Sequence, residues 1–79
     1  MKLPASFRRE QILKEALKFV RRHGYPAVTC EAVGKAAGCS YNTVRRQWSN
    51  RTKLAVAIRD YAGDVGDTEL YEAGKRATQ

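Results

Sequence analysis

A chain of 79 residues holds one domain at most, and an all-helical fold of this size buries only about 60% of the surface its unfolded chain exposes, so its core is thin. Fifteen Lys and Arg against eight Asp and Glu leave a net charge of +7. Residues 1–62 carry the whole excess, with thirteen basic and four acidic groups, whereas residues 63–79 hold two basic and four acidic groups. Such a field favours a polyanion, and without a strongly apolar face beside it nucleic acid ranks ahead of a membrane surface. No run of about 18 apolar residues and no apolar signal core occurs, which predicts a cytoplasmic protein. One His, no paired carboxylates in the basic body, no phosphate-cradling glycine loop and no nucleophile beside a base argue against an enzyme, and no cofactor is expected. Cys30 and Cys39 lie nine positions apart with His23 as the only further ligand candidate, matching no zinc spacing. Both are expected to be packing residues in a reducing compartment, Cys30 the more exposed.

In chain order, residues 1–6 read as a loose leader. Over residues 7–23, Ile12, Leu13, Ala16, Leu17 and Val20 recur at helical spacing with a basic, solvated face opposite. Phe19 falls off that stripe and is expected to cover the start of a neighbouring helix. Gly24 and Pro26 stop the helix. A connector follows in which Tyr25 and Val28 plug the core. Residues 29–48 read as two short helices about a tight turn, and Ser49-Asn50 as a break. Asn50 then caps a helix reaching about residue 62, with Leu54, Ile58 and Tyr61 or Ala62 facing inward and Gly63 and Gly66 ending it. Beyond it, a helical turn or two is expected around residues 68–73, interrupted by Gly74.

The central stretch carries the chemistry. The hydroxyls of Thr29 and Ser40 can each accept from an orphan N–H of a helix's first turn. Gly38 supplies the positive φ of a sharp helix exit, and Gly34 lies where the two helices come closest. Val33, Gly34, Ala37, Cys39, Val44 and Trp48 fall on the inner side, as in a helix-turn-helix. Asn42, Thr43, Arg45 and Arg46 are left outward, and Tyr41 partly so, packing in part beneath the helix. Arg45 and Arg46 can form bidentate bonds to guanine O6/N7 or to phosphate. Asn42 can pair with adenine N6/N7 or serve as a second local cap.

The run ILKEALKFVRRHGYPAVTCEAVGKAAGCSYNTVRRQWSNRTKLAVAI, residues 12–58, resembles the DNA-binding domain of TetR-family repressors. The likeness rests on Gly24-Tyr25 after the first helix, the capping Thr29, the turn Ala37-Gly38-Cys39-Ser40, the aromatic Trp48 closing the second helix of the pair, and Asn50-Arg51 opening the next. The resemblance implies that Thr29 contacts phosphate, that Tyr41, Asn42 and Thr43 read bases, and that Arg51 touches the DNA backbone. Ser40 and Lys53 are counted with them. Where members usually carry a tyrosine pair, this chain has Arg45 and Gln47, so the base preference does not transfer. Members continue into a longer helical domain that binds a small ligand and dimerises. Here a short acidic tail follows, and no small-molecule effector is expected.

The fold expected is all-α, a small bundle of about four helices, with a DNA-binding domain over residues 1–62 and an acidic tail over 63–79 that is a helix or a dimerisation segment. The function expected is that of a small repressor binding double-stranded DNA at an inverted repeat. It would act as a homodimer through Val56 and Arg59 or through Leu70 and Tyr71. The alternatives are a protein-interaction module and a DNA-binding accessory protein of phage or plasmid packaging or recombination.

Overall fold

The computed structural model describes residues 5–79; of the leader read at residues 1–6, the first four lie outside the described residues and the helix already runs from Ala5. Among the described residues five helices follow one another: α1 (Ala5–His23), α2 (Cys30–Ala37), α3 (Tyr41–Gln47), α4 (Arg51–Asp64) and α5 (Thr68–Ala77), with a 3-10 turn at Tyr25–Ala27 connecting α1 to α2.

Each boundary has a local cause. Helix α1 ends on the basic residues Arg21, Arg22 and His23, of which the two arginines suit the negative end of its dipole, and Gly24 leaves it at φ 83°. Pro26 within the connector prevents any continuation. Thr29, Ser40 and Asn50 cap α2, α3 and α4, accepting from the backbone N–H of Ala32, Thr43 and Lys53 at 3.0, 3.2 and 2.9 Å.

The apolar stripe of α1 meets the inner sides of the other helices in one core. Ile12, Leu13, Ala16, Leu17 and Val20 are buried there with Tyr25, Val28, Val33, Val44, Trp48, Leu54, Ile58 and Ala62. Tyr25 and Val28 plug it as expected. Half-buried Phe19 packs against this core and borders a groove of about 610 Å³ between α1 and α2, facing Ala32 and Ala36.

Two local expectations are corrected. Gly63 lies inside α4, where a Cβ would stand 3.0 Å from the Tyr71 ring; the helix runs one residue further and the chain reverses at Gly66, φ 80°. Cys30 is the buried cysteine, because it opens α2 on the side that Val33 also faces, while Cys39 in the turn is half-exposed. Burial pushes the Cys39 thiol pKa up, opposed by the Arg8 cation.

The larger difference concerns the tail. Instead of a turn or two broken by Gly74, residues 68–77 form an uninterrupted helix, capped by Asp67, that lies along α4. Glycine is a poor helix former, so its presence here has a packing reason. A Cβ on Gly74 would stand 2.7 Å from Tyr25 Oη and 2.8 Å from Arg59 Cβ. The helix is fastened at three further points: Tyr25 Oη donates to Leu70 O at 2.9 Å, Arg59 Nη1 donates to Thr78 Oγ1 at 3.0 Å, and Arg21 pairs with Asp67 at 2.5 Å. The bond from Arg21, then that from the Leu70 N–H, holds the Asp67 carboxyl below the usual carboxylate range. Burial, followed by the Asp67 charge, pushes the Tyr25 phenol up.

Gly74→Ala is expected to destabilise the protein. The helix gains about 1 kcal/mol in propensity, but overpacking costs about 1–3 kcal/mol. Neither neighbour can yield easily, since Tyr25 Oη is bonded in place and the Arg59 atom adjoins backbone. A thermal melt should show a lowered midpoint; an equal or higher one would mean that α5 lifts away freely.

Candidate nucleic-acid interface

Helix α3 is short and is seated by Val44 and, immediately after it, Trp48, both buried. The turn before it is held by Gly38 at φ 70° and by the Cys39 N–H donating to Gly34 O at 2.8 Å. Gly34 permits the approach, for a Cβ there would stand 3.0 Å from Cys39 O. With the inner side of α3 so anchored, Tyr41, Asn42, Arg45 and Arg46 are exposed and Thr43 is half-exposed.

Tyr41 does not pack beneath the helix; it is 48% exposed. Arg45, one turn on, donates from Nη1 to Tyr41 Oη at 2.8 Å and lies 5.6 Å from the ring centroid. An arginine so stacked keeps N–H groups to spare while its freedom is reduced. Asn42, the second-cap candidate, makes no side-chain hydrogen bond among the described residues, the cap being supplied by Ser40. Together with Arg45, Arg46 and Ser49 it borders an open depression of about 360 Å³. Ser40 Oγ and Thr43 Oγ1 lie 2.9 Å apart and satisfy one another in part. Thr29 Oγ1 accepts from Ala32 N and retains its own proton to donate outward. Lys53 is exposed in the first turn of α4.

Arg51 is placed differently from the other cations. Its Nε donates to Val28 O at 2.7 Å and its Nη2 to Pro26 O at 2.8 Å, so one edge of its planar fork is held by the connector while the rest of the exposed side chain keeps N–H groups to spare.

Charge is sorted across the molecule. The ion pairs among the described residues are Lys18–Glu15, Arg21–Asp67, Arg59–Asp60 and Lys75–Glu72, none of them on α2 or α3. Helix α3 contains no acidic residue and neither does the first turn of α4. The exposed side of α3 therefore presents unneutralised guanidinium groups beside amide and hydroxyl donors, the mixture that positions on phosphate and reads base edges.

Two further cations adjoin this surface and were not singled out from the sequence. Arg9 lies 5.4 Å from the Trp48 ring centroid, and Arg8 is close enough to Cys39 to act on its thiol. No spacing rule marks them, because their neighbours come from across the fold. Of the residues suggested for dimer contact, Arg59 is committed to Thr78 and Asp60 within the chain, Leu70 and Tyr71 pack against the core, and Val56 is half-exposed. Among the described residues no group of three His, Cys, Asp or Glu could hold a metal ion, and no helix is long and apolar enough to cross a membrane.

Comparison with known proteins places the same stretch in a family. Residues 12–58 match the model of bacterial regulatory proteins, tetR family. The chain is 35% identical over 54 residues to uncharacterized HTH-type transcriptional regulators of Mycobacterium bovis and Mycobacterium tuberculosis, a match covering 68% of this chain and 27% of each relative. The chain thus spans only about a quarter of the length of those relatives. No solved structure matches it.

Proposed function

Because the chain belongs to the tetR family of bacterial regulatory proteins, we propose that it binds duplex DNA sequence-specifically and regulates transcription as a small cytoplasmic repressor. The observation that carries this reading is the exposed side of α3, on which Asn42, Arg45 and Arg46 stand together without an acidic neighbour on that helix. In this reading α3 enters the major groove. Tyr41, Asn42, Thr43, Arg45 and Arg46 face base edges and the nearest phosphates, while Thr29, Ser40 and Lys53 hold the backbone on either side.

One copy of so short a helix reads too few base pairs for useful selectivity against a genome. Two copies on an inverted repeat, with half-sites about 10 base pairs apart centre to centre, would supply it. No small-molecule effector enters this scheme.

Selection of bound oligonucleotides from a random duplex pool, followed by titration at several salt concentrations, tests the proposal. The expected result is an enriched inverted repeat, with an affinity whose logarithm falls against log salt by about 0.9 per phosphate contact. An enriched single half-site would remove the dimer, and no duplex affinity even at low salt would remove the DNA-binding reading altogether.

A further inference from the structure

The connector between α1 and α2 is gripped from two sides. From α4, Arg51 bridges the carbonyls of Pro26 and Val28; from α5, Leu70 O receives the Tyr25 hydroxyl, whose oxygen also borders Gly74. The residue after Val28 is Thr29, which caps α2. Helix α2 in turn seats α3 through Gly34 and Cys39.

Arg51 is also an unfavourable choice for its position on electrostatic grounds alone. It is the first residue of α4, whose dipole places positive charge there, and no acidic residue in that turn compensates. Its guanidinium turns back onto two carbonyl oxygens, a geometry that suits a planar fork and that a single ammonium cannot reproduce.

We propose that Arg51 is a positioning residue for DNA binding: with Tyr25 it fixes the connector, and through it Thr29 and α2, rather than serving as a phosphate ligand. The inference rests on the reading that this domain binds duplex DNA. It assigns to α5, outside the matched residues 12–58, a share in setting the DNA-binding geometry.

The experiment uses Arg51→Lys, Arg51→Ala and Tyr25→Phe in the full chain. Affinity for the selected operator is measured across salt, and backbone amide exchange is followed at residues 29–33. Lysine preserves the charge but not the two-carbonyl bridge, and phenylalanine preserves the buried ring but not the bond to Leu70. Both variants should keep a cooperative melt and bind the operator roughly tenfold more weakly, with an unchanged salt slope and faster exchange at residues 29–33. Should Arg51→Lys bind like the parent while Arg51→Ala lowers the salt slope by about 0.9, Arg51 is a phosphate ligand and the inference is overturned. Unchanged exchange in both conservative variants overturns it as well. Failure of the DNA reading is seen separately, in the parent protein, as absence of duplex binding before any variant is compared.

Discussion

Trp48→Ala is expected to cost about 3–5 kcal/mol, the range for deleting a buried large aromatic side chain. A domain of this size has a total stability of about 4–12 kcal/mol, so the variant should be largely unfolded well below the melting temperature of the parent. Trp48 is 3% exposed and ends α3, with its backbone N–H donating to Val44 O at 2.9 Å. Val44 is the only buried residue within α3 itself, so without the indole this helix hangs on one small side chain. Urea denaturation measures the loss. Trp48→Phe should cost less than half as much, because it keeps a ring in the site and removes a buried indole N–H that finds no acceptor among the described residues. A loss below about 1 kcal/mol for the alanine variant would show that α3 is seated by something other than Trp48, far short of the usual cost of such a deletion.

Arg45→Ala carries the largest expected effect on binding. If the guanidinium reads a base, its removal should cost about 1–3 kcal/mol at the selected operator while affinity for random duplex is nearly preserved. If it only neutralises phosphate, affinity should fall at all sequences and the salt slope should drop by about 0.9. The stacked position on Tyr41 favours the first outcome, since the ring limits where the fork can point and thereby lowers the entropy lost on binding. Arg46→Ala supplies the comparison: Arg46 is exposed and engages no side-chain partner among the described residues, and it is expected to behave as the phosphate contact. Parent-like binding by both variants across salt would take both arginines out of the interface and leave α3 without its cations.

The caps of α2, α3 and α4, the left-handed Gly38, the closeness of the chain at Gly34 and the buried stripe of α1 were all legible in the sequence. These features depend on residues within about one helical turn of each other, and hydroxyl caps, glycine conformations and periods of 3.6 are short-range physics. The family likeness over residues 12–58 was legible for the same reason, being a string of such local signals. Tyr41 escaped this logic in part, because whether its ring tucked under α3 or lay along it depended on the cation one turn away.

Other contacts join parts of the chain that lie far apart in sequence. Arg21 meets Asp67 at a separation of 46 residues, Tyr25 meets Leu70 at 45, and Arg51 reaches the connector at 23 and 25. Gly74 reads as a helix breaker to any local rule, yet it is the point at which α5 clears Tyr25 and Arg59. No local pattern encodes which carbonyl an arginine will find or which ring will lie against a glycine. Those choices follow from how the helices share one thin core, and they turned an acidic tail into part of the scaffold.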